Sequence, residues 1–311
     1  MSMNTAATTD IKCVVCGNDT PQNFKEKYDK ESFAIYECND CNFVFVPPYY
    51  RKQIAYDNYK DESVRKQIQA GNNWLKIQRH MLRIDLIKRF KPTGKLFDLG
   101  AGWGHFMLAA KEGGYDIYGI EISKQNYEYA RNELNLPVDN LDFFKMPEEE
   151  KFDIITLWDV LEHIDAADTV VEKCNKLLAK DGYLFIQVPQ EDSLFARMFK
   201  GNWGMMTIDH VNYFSRPTIT KLLESHNFKV ESIKSSLELK NVLVYYILPK
   251  LKRKTTHQIH ASERQEYFNK VTKKRPMWMM KLFVGVHNLI YKMLSFFRVG
   301  EEMIVVARKT N

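Results

Sequence analysis

The stretch KLFDLGAGWGHFMLAA, Lys95 to Ala110, passes from an apolar strand into a helix through glycines at 100, 102 and 104. A strand that runs straight into a helix needs a crossover before the next parallel strand, so this turn points to a βαβ unit. The segments that follow alternate in the same way: YDIYGIEI, SKQNYEYARNEL, a short strand near residues 137–142, FDIITLWDV, ADTVVEKCNKLLAKDG and YLFIQVP. Beyond them ITKLLESHNF reads as a helix, KVESIKSS as a strand and EEMIVVARK as a terminal strand. The expected fold class is α/β: a doubly wound, mostly parallel, seven-stranded sheet with helices on both faces.

Glycine turns of this kind hold dinucleotides, nucleotide phosphates or ligands with no phosphate. The dinucleotide fingerprint needs a third glycine where this chain has His105, and a phosphate loop needs a closing Gly-Lys-Ser/Thr that is missing. Asp98, just before the turn, puts a carboxylate where a phosphate would be repelled and an ammonium group attracted. Glu121 follows at the end of the next strand, about 20 residues past the first glycine, where an acid accepts hydrogen bonds from ribose hydroxyls. A ligand with a cationic amino-acid end, a ribose and an adenine fits all of this: S-adenosylmethionine.

Four of the five cysteines lie near the N-terminus as CVVC (Cys13, Cys16) and CNDC (Cys38, Cys41). The two-residue gap lets both thiolates of each pair reach one tetrahedral Zn2+. The 21 residues between the pairs slightly exceed the usual ribbon spacing, which a hairpin absorbs. FAIYEC and FVFV read as the flanking strands. A redox disulfide of the thioredoxin kind would need one CxxC at a helix start inside a βαβ unit, and that context is absent. Cys174, on an amphipathic helix, reads as a core thiol. Residues 1–47 are thus expected to form a zinc ribbon and 48–92 a helical linker or cap. Residues 93–240 form the cofactor domain, 241–300 a basic helical insertion, and 301–311 the last strand of the sheet.

From roughly Leu75 to Ser236, with the last strand, the chain resembles a class I S-adenosylmethionine-dependent methyltransferase of Rossmann-like fold. FDLGAGWGHF is similar to that family's first motif, GIEIS to its second-strand acid, FDIITLWDVLEHI to its fourth-strand motif and GYLFIQVPQ to its fifth. The resemblance implies that Gly100, Ala101 and Gly102 wrap the methionine end and that Glu121 holds the ribose. It also implies that Ile122, Asp142 and Phe143 border the adenine and that Leu157 and Trp158 line the floor. The N-terminal four-cysteine module joined to this domain is similar to sugar C-methyltransferases and their relatives in polysaccharide and natural-product pathways. Those enzymes usually carry a further C-terminal domain that this shorter chain lacks, which leaves open the acceptor and the choice of carbon or oxygen.

On the acceptor side, His163 in WDVLEHI and His210 in DHVNYFS both fall where carboxyl ends of strands are expected. HVNYFS resembles a segment that borders the acceptor pocket in many small-molecule methyltransferases. His210 is the candidate general base, His163 the second candidate, and a histidine that merely ties a loop in place is the plain alternative for either. The expected function is methyl transfer to a small molecule, a sugar or glycan precursor. The competing readings are an RNA methyltransferase using the ribbon and the basic segment, and a non-catalytic scaffold. Amino-methylating nucleic-acid enzymes carry Asn/Asp-Pro-Pro-Tyr/Phe after the fourth strand; this chain has LWDV there, and its PPY at 47–49 is a linker.

The formal charge of +6 is uneven: residues 241–300 hold 12 Lys/Arg and 2 Asp/Glu, a local net of +10 against −4 elsewhere. An anionic partner should therefore meet that segment. Its helix MWMMKLFVGVHNLIYKMLSFFR confines polar residues to one narrow stripe, Lys281, Gly285, Asn288, Lys292 and Ser295. Burial in the domain or in a homodimer interface, attachment to an anionic membrane surface, and a lid over the acceptor are the three readings. MSMNTAATTDIK has no apolar signal core and no run of about 18 uncharged apolar residues occurs, so the expected location is cytoplasmic, or peripheral at the inner membrane face.

Overall fold

The computed structural model describes residues 11–30, 32–51, 73–236, 276, 278, 279, 281, 282, 284–286, 289 and 300–310. Most of the basic insertion and residues 52–72 of the 48–92 segment lie outside the described residues. Two sheets organise the chain. The smaller takes β1 (Phe24–Asp29), β2 (Ala34–Cys38), β3 (Val44–Phe45) and, from far along the chain, β9 (Asn212–Tyr213), in the order β1-β2-β3-β9.

The larger sheet has β4 (Lys95–Leu99), β5 (Asp116–Ile120), β6 (Val138–Asp139), β7 (Phe152–Trp158), β8 (Leu178–Pro189), β10 (Phe228–Ser236) and β11 (Glu302–Lys309). Their order is β10-β11-β8-β7-β4-β5-β6. β4 with β5, β5 with β6, and β7 with β8 are parallel, while β11 runs antiparallel to β8. This is the Rossmann-like, mostly parallel seven-stranded sheet expected from the alternation of elements.

The chain falls into two compact units. One comprises Ala55–Lys145 and Ser236–Phe297. In it α1 (Asn73–Lys88) packs on α2 (His105–Glu112), and a side chain at Gly113 would meet Ile84 Cγ2 at 2.9 Å. Gly119 in β5 is likewise bare because Met107 of α2 sits where its Cβ would be, 2.7 Å from the sulfur. The expected helix over SKQNYEYARNEL widens at its end: α3 (Lys124–Glu128) is capped by Ser123, and a π turn over Tyr129–Glu133 follows. That turn buries Tyr129 and Ala130, and Ala130 closes on Gly104.

The other unit comprises Met1–Ile54, Met146–Ser235 and Arg298–Asn311. β7 is an almost continuous apolar run, as a strand covered on both faces must be. α4 (Ala167–Leu177) stops five residues before the end of the expected helical run, which reached Gly182. Lys309 Nζ meets the carbonyls of Asn175 at 2.7 Å and Leu178 at 2.9 Å, satisfying the helix end, and Asp181 turns through φ 60° within the new strand. α5 (Leu194–Phe199) starts on a Ser193 cap. α6 (Arg216–Glu224) starts at a reciprocal Ser215/Thr218 capping box with Pro217 in the first turn. Among the described residues no helix is long and apolar enough to cross a membrane.

The cysteine module is stitched to this second unit. Val44 pairs with Tyr213 and Phe45 with Asn212, and Val46 N donates to Val211 O at 2.9 Å. Phe43 stacks against Phe45 and tilts onto Phe214, all three fully buried. Burying a phenyl side chain stabilises by roughly 1.5–3 kcal/mol, so this seam is a substantial contact. Lys27 of β1 adds an ion pair to Glu191 at 2.7 Å. Strand β1, FKEKYD, carries too little apolar alternation to stand out in the sequence.

Candidate functional site

The four cysteines converge. Cys13 Sγ lies 3.5 Å from Cys41 Sγ and Cys16 Sγ 3.7 Å from Cys38 Sγ, and all four sulfurs lie within 4.8 Å of one another. All are free thiols. Zn–S bonds of about 2.3 Å in a tetrahedron put sulfurs roughly 3.8 Å apart, so the donor set fits one Zn2+. Each knuckle closes through a left-handed residue just after its second cysteine, Gly17 at φ 74° and Asn42 at φ 59°. Their N–H groups return to the carbonyls of Cys13 and Cys38, each at 2.8 Å.

In the unit containing β4 to β6, the glycine turn takes the backbone conformation that its sequence requires. Gly100, Gly102 and Gly104 all have positive φ, at 78°, 53° and 77°. At Gly104 a Cβ would also strike Leu136 Cδ1 at 2.5 Å, whereas Gly102 faces open space. The Gly100 and Ala101 N–H groups both reach Ile120 O at 3.0 Å. Glu121 is buried, its Oε2 accepting from Gly102 N and its Oε1 from Ser123 N, each at 2.7 Å. Burial pushes its carboxyl above the ordinary glutamate value, against the pull of those N–H groups. Each oxygen keeps a second lone pair for a hydroxyl donor.

Asp98 is buried at the end of β4, and Ala101 is buried within the turn. Ile122 is exposed, and Asp142 Oδ1 accepts from Phe144 N at 3.0 Å. Phe143 turns inward and stacks on Phe97 at 6.2 Å, while its neighbour Phe144 is exposed. Asn140 was not singled out from the sequence. Its Nδ2 donates to the carbonyls of Glu121 at 2.7 Å and Ile122 at 2.9 Å, fixing the backbone that carries the acid. An Asn directly after a short strand was the available signal.

In the other unit, Leu157 and Trp158 are buried at the carboxyl end of β7. The chain then turns through Asp159 at φ 60° into a single 3-10 turn, Leu161–His163. His163 and His210 lie together, ring centroids 4.7 Å apart and edge-on. Each Nδ1 meets a backbone carbonyl, His163 that of Asp209 at 2.7 Å and His210 that of Met205 at 2.8 Å. A carbonyl only accepts, so in each ring Nδ1 carries a proton. Burial and the neighbouring His163 push His210 down to about 4, against Asp209. It is neutral near pH 7, and weak as a base.

Beside them stands Glu162, also not foreseen, 1% exposed and with Oε2 lacking any hydrogen-bond partner. Burial, then Asp159, raises its carboxyl well above the ordinary range. An acid inside the apolar run WDVLEHI was its sequence signal. Backbone bonds lock the group: Val211 N donates to Glu162 O at 2.8 Å, and Asn212 Nδ2 to Leu161 O at 3.0 Å and Ile164 O at 2.7 Å.

The chain is similar to known proteins over part of its length. The family model described as Methyltransferase domain matches residues 75–233, just over half of the 311. The Ubiquinone biosynthesis O-methyltransferase of Pelagibacter ubique is 28% identical over 128 residues, covering 37% of this chain and 53% of that protein. That of Glaesserella parasuis is 34% identical over 103 residues, covering 30% of this chain and 44% of its own length. The chain thus spans about half the length of the curated relatives it matches. A chain from the complex of the Haloferax volcanii Trm112 methyltransferase activator with a methyltransferase aligns with a TM-score of 0.50 at 12% identity, covering 83% of this chain and 98% of its own. That likeness is one of fold alone.

Proposed function

The chain belongs to the Methyltransferase domain family, and from that premise we propose that it moves the methyl group of S-adenosylmethionine to an oxygen of a small-molecule acceptor. The observation that carries the reading is the clamp of Glu121 on Gly102 N–H inside the matched span, at a turn where Gly102 faces open space that a ligand's amino-acid end would fill. When bound, S-adenosylmethionine supplies an electrophilic methyl on a sulfonium, which is already a good leaving group. Gly100, Ala101 and Gly102 take the methionine end with Asp98 behind them. Glu121 takes the ribose hydroxyls, and Ile122 with the Asp142–Phe143 turn borders the adenine. Leu157 and Trp158 supply apolar floor, which excludes water from the reacting carbon.

The acceptor must lose a proton as the new bond forms, and the His163–His210 pair is where this chain deals with it. An oxygen acceptor is favoured because the matched relatives are named O-methyltransferases; a sugar or glycan precursor hydroxyl remains the acceptor class suggested by the cysteine module. The four cysteines hold a structural Zn2+. Residues 241–300 meet an anionic membrane surface: Trp278, Leu282, Val286 and Leu289, at helical spacing, are exposed together with Lys281. Supply of labelled S-adenosylmethionine with panels of phenols, nucleotide sugars, lipid-linked glycans and RNA tests the reading. Label should appear on a hydroxyl of a small molecule. Label in RNA alone, or none in any panel, would overturn it.

A further inference from the structure

The PPY linker at 47–49 leads into a single 3-10 turn, Pro48–Tyr50. Tyr50 N donates to Pro47 O and Arg51 N to Pro48 O, each at 3.0 Å, so the turn folds Arg51 back onto the cysteine module. The Arg51 side chain is only 11% exposed. Its Nε donates to Val46 O at 2.7 Å, and its Nη1 meets Asp165 Oδ1 at 3.1 Å. Both partners lead to a histidine. Val46 gives its own N–H to Val211 O at 2.9 Å, and Val211 directly follows His210. Asp165 is exposed, two residues past His163. All of these groups belong to one compact unit.

We propose that Arg51 is a positioning residue that sets the spacing of the His163–His210 pair by holding Val46 and Asp165 at once. The bonds from Val211 N to Glu162 O and from Asn212 Nδ2 to Leu161 O and Ile164 O fix the His163 turn as far as Ile164. Arg51 adds a hold just beyond it, at Asp165, and ties that point to the strand end beside His210. A guanidinium suits the task because it is planar and always charged. Its Nε–H and Nη1–H groups point in different directions, so one buried side chain reaches two segments. A lysine carries one point charge on a flexible stem and cannot hold both. An ion pair with an exposed partner contributes little to stability, so the consequence of this contact lies in geometry.

This deepens the methyltransferase reading and rests on it for the pair's role with the acceptor proton. The rings stand 4.7 Å apart, with His163 Nδ1 on Asp209 O and His210 Nδ1 on Met205 O. Releasing Asp165 frees the His163 turn to drift from that arrangement. A displacement of about an ångström at a reacting group costs on the order of 10²-fold in rate. Arg51 acts through the two segments and not on the acceptor itself.

The test uses the full-length protein as purified, with isotope-labelled histidine, and follows the Nδ1–H magnetic resonances of His163 and His210. Arg51→Ala should displace both and speed their exchange with solvent by roughly tenfold or more, with zinc content and S-adenosylhomocysteine affinity within about twofold of wild type. Arg51→Lys should resemble Arg51→Ala, whereas Asp165→Asn, which keeps an acceptor oxygen, should resemble wild type. With the acceptor that the labelling panels identify, turnover of Arg51→Ala should fall by roughly 10- to 100-fold at unchanged KM for S-adenosylmethionine. Resonances that stay in place in folded Arg51→Ala would overturn the proposal whatever happens to its unfolding temperature, because a merely stabilising contact leaves the rings where they are. Arg51→Lys with wild-type rings would do the same. Should Arg51→Ala fail to fold, Asp165→Ala decides by the same resonances. Displaced rings in a protein whose wild type ignores S-adenosylhomocysteine would keep the clamp and sink the methyltransferase reading; unmoved rings in a protein that binds it would do the opposite.

Discussion

Around the glycine turn, the groups that hold one another follow three successive strands: Gly102 after β4, Glu121 after β5 and Asn140 after β6. Around the histidine pair, the partners come from three distant stretches. Glu162 and His163 follow β7, His210 precedes β9, and β9 itself is held by β3 of the cysteine module. The first arrangement closes within a few dozen residues, through backbone turns that a local motif specifies. The second exists only once non-local pairing has formed, and it is stiffened by the β3–β9 pairing with the four-cysteine module. A ligand grip can therefore survive perturbations that disable the histidine pair, and the two regions should respond separately to mutation.

The sharpest way to break that separation is at His210. His210→Ala should lower turnover by ~10²–10⁴-fold, the scale for losing a group that handles the acceptor proton, with little change in affinity for S-adenosylhomocysteine. Steady-state kinetics beside calorimetry reads both. Equal losses in the two would mean that the regions are not independent. Next in size, Glu121→Ala should weaken S-adenosylhomocysteine by ~1.5–3 kcal/mol, about 10- to 150-fold, through lost charge-assisted hydrogen bonds, while the zinc content is unchanged.

A smaller effect probes the link between the cysteine module and β9. Cys38→Ser should release the zinc, measured by elemental analysis, because a structural site contributes its folding energy locally. Turnover should then fall by roughly tenfold as the β3–β9 pairing loosens, with cofactor affinity largely intact. Metal-free wild-type protein with four reactive thiols would remove the premise.

The smallest effect is on pH dependence. Burial holds the Glu121 carboxyl above its unfolded value, against the N–H groups of Ser123 and Gly102. This contribution to stability is complete below the unfolded value, about pH 4.3, and is lost as pH rises through the raised folded value. Glu121→Gln should flatten that part of a denaturation series run from about pH 4 to 7. An unchanged slope would mean that the carboxyl is better solvated than its burial implies.

The same contrast explains what could be read from the sequence. The sheet, its strand order of alternation, the glycine turn and the acid at 121 were legible because each is written in consecutive residues: apolar period, positive-φ glycines, a strand-end carboxylate. The CxxC pairs were legible for the same reason. Asp98 and Glu121 are buried where β4 and β5 end, and in the turn after β6 Phe143 packs inward on Phe97 while Phe144 is the exposed ring, an alternation of neighbours that no periodic pattern announces. Glu162, Asn140 and Asn212 were not singled out because their importance lies in what they touch. Strand β9, two residues long, and polar β1 carry almost no periodic signal; only β3 and the knuckles define them. The helix expected to reach Gly182 ended at Leu177 because Lys309, from the far end of the chain, satisfies its carbonyls.

Calorimetric titration of the full-length protein with S-adenosylhomocysteine, and in parallel with NAD, tests the cofactor assignment most directly. S-adenosylhomocysteine should bind at one site per chain, and NAD should give no heat, because His105 replaces the third fingerprint glycine and Asp98 opposes a phosphate. Protein that binds NAD and ignores S-adenosylhomocysteine would contradict the reading of the glycine turn, and with it the proposed reaction.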